Sequence, residues 1–295
     1  MPATNTICAE ISAATNQDFI LDKQAHVSGG DINDSAVFSG MCGRQFFVKR
    51  NAAGKLDMFA AEAEGLAALA EAKAIRVPQA ICIGEAEAES YIVMEYIQFG
   101  SGNADSHTQL GQQLAQLHRH SADKYGWYRD NTIGSTPQPN SETDNWVEFL
   151  REQRLGFQFE LAERKGAGSA LARKADRLLS GLAFYFDEYR PEASILHGDL
   201  WSGNYAFDSN NSPIIFDPAV YFGDRESDIA MTELFGGFQP AFYAAYESIW
   251  PLEPGYARRK KLYKLYHIIN HFNMFGGGYA GQAESIVDEL LACLP

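Results

Sequence analysis

Three polar side chains stand out because a loop and a strand would carry them to one place. Asp199 lies in a His-Gly-Asp turn, and Asn204 follows it five positions later. The β-prone run at 213–216 then ends in Asp217. Mg²⁺ prefers oxygen ligands and uses only one or two carboxylates, so Asn204 and Asp217 are suited to bind it. Asp199 is then available to accept a hydrogen bond from a reacting hydroxyl group.

This ordered set has the layout of a phosphoryl-transfer site. Protein kinases place one Asp in a catalytic loop and use an Asn and a second Asp to hold Mg²⁺. Each residue taken alone is also a common turn former, and for a single position that plainer interpretation is preferred. The complete pattern favours the kinase-like site. We interpret His197, just before the turn, as a structural residue that bonds backbone in the loop.

Composition excludes several other classes of function. The chain has 295 residues and a net charge of −14, which argues against a general surface for nucleic acids or anionic membranes. We interpret its basic run at 258–261 as a solvated helix face. The four cysteines are scattered without metal-ligand spacing, and there is neither a signal-peptide pattern nor a long apolar run. We therefore expect a cytoplasmic protein with no nucleic-acid or membrane partner.

The remaining pattern predicts an α+β fold with two lobes, 1–97 and 98–295. The first lobe is expected to hold a five-stranded sheet and the nucleotide, with strands at 24–27, 35–38, 45–49, 78–83 and 91–96 and helices at 7–15 and 57–72. The second lobe is expected to be mainly helical, with helices at 106–119, 145–165, 169–189, 228–234, 240–248, 255–272 and 280–294. The stretch 131–143 has the composition of an irregular insert. This is the arrangement of a bilobal protein-kinase-like fold.

The first lobe offers candidates for binding a nucleotide. Gly29 and Gly30 lie between two predicted strands and would let backbone N–H groups approach phosphate, although a plain hairpin turn is an equal alternative. Lys49 ends a strand that would project its ammonium group toward phosphates. Glu62 on the next helix is its natural partner, and Glu64 would point away from Glu62. The segment Met94, Glu95 and Tyr96 would run between the lobes and present backbone groups to adenine.

Longer motifs resemble the fructosamine kinase (ketosamine-3-kinase) family, which is related to aminoglycoside and choline kinases. His197–Asn204 reads HGDLWSGN, which is more specific than the HGDxxxxN of the wider superfamily. Further motifs extend the resemblance over nearly the whole chain: Phe216–Ala219, Gly223–Ala230, Thr136–Asn140, Glu152–Leu155 and Asn270–Tyr279.

The resemblance implies an ATP-dependent kinase that phosphorylates the 3-hydroxyl of ketosamines, which are sugars joined to amines by glycation. It implies that Asp199 is the catalytic base. It further implies that Asn204 and Asp217 bind Mg²⁺, that Lys49 and Glu62 position the ATP phosphates, that Met94, Glu95 and Tyr96 form the adenine hinge, and that Asp228 anchors the catalytic loop. The expected partner is a small or protein-linked ketosamine, and the expected assembly is a monomer or weak homodimer.

One position departs from the family pattern. Eukaryotic relatives often have a cysteine in the glycine-rich loop, where this chain has Asp31, so no disulfide switch is expected. Trp201 is either a surface for packing a sugar or a core residue. His271 and Asn273 are either ligands for the ketosamine or caps near a glycine stop.

Two alternatives remain open. A kinase of the same superfamily could act on an aminoglycoside, choline or another amino alcohol. A catalytically silent nucleotide-binding module is disfavoured because no expected catalytic position is missing.

Overall fold

The computed structural model describes residues 2–27 and 32–295. Helix α1 (Pro2–Thr15) precedes five strands, β1 (Leu21–Val27), β2 (Asp34–Gly40), β3 (Gln45–Ala52), β4 (Ala80–Ala86) and β5 (Glu89–Glu95). They form one antiparallel sheet in the order β1-β2-β3-β5-β4. Helix α2 (Leu56–Glu71) connects β3 to β4.

The two faces of this sheet are covered by different helices. Because side chains alternate along a strand, Phe46 and Val48 of β3 join a buried cluster with Ile7 and Ile11 of α1. The opposite face packs against α2, with Ile92 and Met94 of β5 in a second cluster. This alternation also places Lys49 on the α2 face.

The second part of the chain is mainly helical. Its α-helices are α3 (Ala104–His118), α4 (Trp146–Phe149), α5 (Phe157–Arg164), α6 (Ser169–Ser180), α7 (Glu226–Thr232), α8 (Pro240–Ile249), α9 (Tyr256–Phe275) and α10 (Tyr279–Leu291). Helix α9 supplies much of the buried core, including Leu262, Leu265 and Ile269. None of the helices within the described residues is both long and apolar enough to span a membrane.

Short strands lie between these helices along the chain. They are β6 (Phe99–Gly100), β7 (Ser121–Ala122), β8 (Asn131–Ile133), β9 (Thr136–Gln138), β10 (Ala193–Leu196), β11 (Tyr205–Asp208), β12 (Pro213–Ile215) and β13 (Tyr221–Gly223). Strands β11 and β12 pair on either side of a tight turn, and β10 pairs with β13. The loop between β10 and β11 carries Asp199 and Asn204, and the segment between β12 and β13 carries Asp217.

The sheet-rich first part and helical second part confirm the predicted α+β class, but three local predictions need correction. The helix predicted at 145–165 is interrupted by a π-helical stretch, Leu150–Gly156, between α4 and α5. The helix predicted at 169–189 ends at Ser180, and Gly181 leads into a 3₁₀ turn, Leu182–Phe186. The insert at 131–143 contains a hairpin, because β8 and β9 pair across Gly134.

Candidate active site

The loop after β10 is held in one shape by backbone contacts. Gly198 has a φ of +81°, and an added Cβ would lie 2.1 Å from the carbonyl oxygen of Ala219. Only glycine satisfies both conditions without strain. The Nε2 of buried His197 donates to the carbonyl oxygen of Phe216 at 2.9 Å, and burial lowers the pKa of this imidazole. His197 therefore joins the loop to the segment before Asp217, which agrees with the structural role predicted for it from the sequence.

A buried carboxylate fixes the same loop from the other side. Asp228, in the first turn of α7, accepts hydrogen bonds from the backbone N–H of His197 at 2.7 Å and of Gly198 at 2.9 Å. Burial alone would raise the pKa of Asp228, but the hydrogen bond and charge of His118 and the N–H of Gly198 outweigh it and lower that pKa. A charged Asp228 thus anchors the turn that presents Asp199.

Asp199, Asn204 and Asp217 all line one cleft, which has a volume of about 580 Å³ and lies between the sheet and the helices. The side-chain Nδ2 of Asn204 donates to the carbonyl oxygen of Asp199 at 2.8 Å, which leaves the amide oxygen of Asn204 as the atom available to a cation. Asp217 has a φ of +58°, a left-handed conformation that is uncommon for a residue with a side chain. Such strain persists only where the surrounding structure holds it.

One lysine connects the sheet, α2 and Asp217. The Nζ of Lys49 lies 2.6 Å from Oε1 of Glu62 and also donates to Oδ1 of Asp217. Burial alone would lower the pKa of Lys49, but the two carboxylates outweigh it and raise that pKa, so the ammonium group stays charged. The pairing of Lys49 with Glu62 is as expected from the sequence. The additional contact with Asp217 was not expected.

Glu64 contacts different partners from Glu62. Its carboxylate accepts hydrogen bonds from the hydroxyl group of Tyr128 and from Nη1 of Arg129, the latter at 2.7 Å. Nη2 of Arg129 also lies 2.5 Å from Oδ1 of Asp57. Arg129 therefore clamps α2 to the segment that precedes β8. Gly65 allows a second close approach of α2, to the segment between β12 and β13, because an added Cβ would lie only 3.1 Å from the side chain of Val220.

The cleft carries more negative than positive charge. Of the described residues that line it, Asp199, Asp217 and Glu62 are carboxylates and Lys49 is the opposing cation. Burial, together with the charges of Asp217 and Asp228, raises the pKa of Asp199 to about 7.

A divalent cation bound by Asn204 and Asp217 would remove this imbalance. One amide and one carboxylate also match the sparse protein ligation of Mg²⁺. Among residues 2–27 and 32–295, no group of three or more His, Cys, Asp and Glu side chains is arranged to hold a metal ion. The donor set therefore fits a cation that takes its remaining ligands from a nucleotide and water.

Aromatic side chains form one side of the cleft. Trp201, Phe235, His271, Phe275 and Tyr279 all line it, and the rings of Phe235 and His271 lie 4.7 Å apart. Trp201 is 36% exposed, so it is a cleft residue and not part of the core.

His271 has a defined tautomer. Its Nδ1 lies 2.8 Å from the carbonyl oxygen of His267, and a carbonyl can only accept, so Nδ1 carries the proton. Burial lowers the pKa of His271, which leaves Nε2 as a hydrogen-bond acceptor. Phe275 was missed in the sequence, although its spacing of four from His271 on α9 was a usable signal. Tyr279, which begins α10, carried no such signal.

Asn273 is not brought into the cleft. It is 2% exposed, and its Nδ2 donates to the carbonyl oxygen of Gln158 at 3.0 Å and to its Oε1 at 2.7 Å. Two positions along a helix turn a side chain by about 200°, so His271 and Asn273 point in nearly opposite directions. Asn270, one position before His271, lines the cleft instead.

The proposed nucleotide contacts are only partly placed. Gly29, Gly30 and Asp31 lie outside the described residues. Of the residues that are described, those lining the cleft do not include the hinge candidates Met94, Glu95 and Tyr96. The backbone N–H of Glu95 donates to the carbonyl oxygen of Gln79 at 2.8 Å, and its side chain pairs with Arg76 at 2.5 Å. The hinge assignment therefore stays a prediction from the family resemblance.

Comparisons with known proteins identify the family. The family model described as "Fructosamine kinase" matches residues 3–293. A protein named "Probable ketoamine kinase" from Synechocystis sp. is 48% identical over 97% of this chain and 96% of its own length. A chloroplastic protein named "Protein-ribulosamine 3-kinase" from Arabidopsis thaliana is 43% identical over 93% of this chain and 84% of its own.

A solved structure confirms the fold. The crystal structure of a protein named "Putative fructosamine-3-kinase" from Haemophilus somnus matches with a TM-score of 0.91 at 30% identity, and the match covers 98% of each chain. The kinase-like fold and the resemblance inferred from the motifs are both confirmed. The chain belongs to the fructosamine kinase family.

Proposed function

We propose that this protein is an ATP-dependent kinase that phosphorylates the 3-hydroxyl of ketosamines. The observation that carries the proposal is the convergence of Asp199, Asn204 and Asp217 with the Lys49–Glu62 ion pair in one cleft. Family membership supports the reaction class, and relatives bear the names ketoamine kinase and protein-ribulosamine 3-kinase. The product would be a ketosamine 3-phosphate.

In this proposal Asn204 and Asp217 would hold Mg²⁺, which would supply positive charge to the ATP phosphates. Lys49 supports the same phosphates from the sheet. Its raised pKa keeps it cationic, and Glu62 fixes its direction. The protein thus contributes mainly alignment and charge, as a loose transition state requires.

Asp199 orients the acceptor. Its carboxylate accepts the hydrogen bond of the sugar hydroxyl and takes the proton as that oxygen bonds to the γ-phosphorus, while the bond from phosphorus to the bridging oxygen breaks and ADP leaves. Asp228 and Gly198 make this possible by holding the turn rigid.

The aromatic side of the cleft is the proposed acceptor site. The face of Trp201 would pack against the apolar face of the sugar, and the unprotonated Nε2 of His271 would accept a hydrogen bond from a hydroxyl or ammonium group. Phe275 is 52% exposed, so this side of the cleft opens to solvent. An open wall is compatible with an amine that belongs to a protein side chain.

The decisive experiment is an acceptor panel with product mapping. ADP release is measured with ribulosamines, fructosamines, an aminoglycoside and choline, and the modified hydroxyl is identified by NMR. We expect turnover with a ketosamine and phosphate on its 3-hydroxyl. Turnover confined to the aminoglycoside or choline would overturn the substrate assignment, and tight ATP binding without any transfer would indicate a silent nucleotide-binding module.

A further inference from the structure

Two motifs noted in the sequence, Thr136–Asn140 and Glu152–Leu155, take no direct part in the proposed chemistry. Their side chains meet behind the cleft in a buried network of hydrogen bonds. It contains Arg154, Asn140 and Gln138, each at most 1% exposed, together with Tyr266 and Asn131. The network ends on the carbonyl oxygens of Ala219 and Val220, two and three positions after Asp217.

The first branch runs from Arg154 to residue 220. Nη2 of Arg154 donates to Oδ1 of Asn140 at 2.7 Å, and Nδ2 of Asn140 donates to Oδ1 of Asn131 at 2.9 Å. Nδ2 of Asn131 then donates to the carbonyl oxygen of Val220 at 2.8 Å. Since a guanidinium group can only donate, Arg154 fixes which way every amide in this branch points.

The second branch runs from Tyr266 to residue 219. The hydroxyl group of Tyr266 donates to Oε1 of Gln138 at 2.6 Å. The Nε2 of Gln138 donates to the carbonyl oxygen of Ala219 at 3.1 Å and to Oδ1 of Asn131 at 2.8 Å. The two branches therefore share Asn131, whose amide oxygen accepts from both.

The network also reaches α2. The Nδ2 of Asn140 donates to the carbonyl oxygen of Arg129 at 3.1 Å, and Arg129 is the residue that clamps α2 through Glu64. The same set of bonds thus supports the segment after Asp217 and the helix that carries Glu62.

The strain at Asp217 explains why such support is needed. Its left-handed φ must be maintained by anchors on both sides. Before it, the N–H of Phe216 donates to the carbonyl oxygen of Asn204 at 3.1 Å, and after it, the N–H of Ala219 donates to the carbonyl oxygen of His197 at 2.8 Å. These bonds tie Ala219 to the catalytic loop on one side, while the network holds its carbonyl oxygen on the other.

We propose that the network of Arg154, Asn140, Asn131, Gln138 and Tyr266 is a positioning device that keeps the Asp217 carboxylate aimed into the cleft. Arg154, Gln138 and Tyr266 are positioning residues that act through the backbone at 219 and 220. This inference rests on the proposed function in one respect only, that Asp217 binds the divalent cation of a metal–nucleotide complex.

The test compares two conservative substitutions that remove similar hydroxyl groups. In Tyr266→Phe the oxygen of Gln138 loses the donor that orients it, so the amide is free to turn away from Ala219. In the matched control, Tyr185→Phe, the lost hydroxyl group also donated at 2.6 Å, to the carbonyl oxygen of Leu290 in a part of the core away from the cleft. Gln138→Met is a third variant, which removes the contact with Ala219 directly.

Mn²⁺ binding in the presence of ADP, followed by electron paramagnetic resonance, is the primary measurement. Losing one oriented hydrogen bond should raise the dissociation constant of Mn²⁺ about two- to tenfold in Tyr266→Phe, and further in Gln138→Met. Tyr185→Phe should bind Mn²⁺ as the wild type does, although its free energy of unfolding in urea should fall by about as much as that of Tyr266→Phe. In turnover assays kcat should fall in Tyr266→Phe while KM for the acceptor stays unchanged.

The outcomes separate this inference from the proposed function. If Tyr266→Phe and Gln138→Met bind Mn²⁺ as tightly as Tyr185→Phe does, the positioning role is overturned. If Gln138→Met does not fold, the comparison of the two tyrosine variants decides alone. Wild-type protein that binds Mn²⁺ with ADP but phosphorylates no ketosamine refutes the acceptor, and the Mn²⁺ series still judges the network. Wild-type protein that binds no Mn²⁺ with ADP refutes both.

Discussion

Replacing Asp199 with Asn should abolish activity and at the same time stabilise the fold at alkaline pH. The pKa of this carboxyl is raised from 3.8 to about 7, chiefly by burial and then by the charges of Asp217 and Asp228. An acid whose folded pKa is raised is harder to ionise in the folded state than in the unfolded chain. Its penalty is absent below the unfolded pKa, grows as the pH rises, and is complete above the folded pKa.

The magnitude follows from that shift. Each pKa unit corresponds to about 1.4 kcal/mol, so full ionisation of Asp199 costs the fold at most about 4 kcal/mol. At about pH 5.5 the cost is about 2 kcal/mol, because the folded group is still mostly protonated there. Asn cannot ionise and avoids the cost. The stability gained by Asp199→Asn should therefore be about 2 kcal/mol larger at about pH 8.5 than at about pH 5.5.

Urea unfolding of both proteins at these two pH values is the assay, with the free energy of unfolding as the readout. Asp208→Asn is the control of opposite sign, because hydrogen bonds from the backbone of Ser212 and Asn210 lower the pKa of Asp208. That variant should be less stable than wild type at neutral pH. A gain in Asp199→Asn that is equal at both pH values would refute the electrostatic reasoning, and near-normal turnover would remove Asp199 from its proposed role.

Two further predictions concern the walls of the cleft. Lys49→Met should lower the free energy of unfolding by about 3 kcal/mol, because buried Glu62 loses its counter-charge. Adding Glu62→Gln should recover part of this loss in urea titrations. An unchanged unfolding midpoint in Lys49→Met would contradict this prediction. Trp201→Ala should raise the acceptor KM about tenfold and lower the free energy of unfolding by less than about 2 kcal/mol. The control Trp146→Ala removes a core side chain that is 3% exposed and should lower the free energy of unfolding by about 3–5 kcal/mol. An unchanged acceptor KM in Trp201→Ala would place the sugar elsewhere.

Much of the site could be predicted because its residues follow one another closely in the chain. Asp199, Asn204 and Asp217 lie within 19 positions, so one loop and one hairpin are enough to bring them together. Glu62 could be preferred over Glu64 because helical geometry separates their directions. The contact of Lys49 with Asp217 spans 168 positions, and no local pattern could have revealed it.

Other features could not be predicted because tertiary contacts override local preference. The segment 145–165 is rich in helix formers, yet its backbone widens into a π-helix where Arg154 is buried between the rings of Phe149 and Tyr221, 4.5 and 3.9 Å from them. The stretch 131–143 has the composition of a loop, and its hairpin depends on buried partners far away in the chain. Asn273 is close to His271 along the chain, but two helical positions rotate its side chain by about 200°, toward Gln158 and away from the cleft.

The clamp of Arg129 on α2 holds this helix from a second side. Arg129 and the close approach at Gly65 fix α2 against the segments around residues 129 and 220, while Phe59 and Leu66 bury it against the sheet. Glu62 therefore lies on a helix that is supported from both directions, and Lys49 meets it at 2.6 Å. We expect the charge cluster to be organised before any nucleotide arrives, so that binding requires little rearrangement of these side chains.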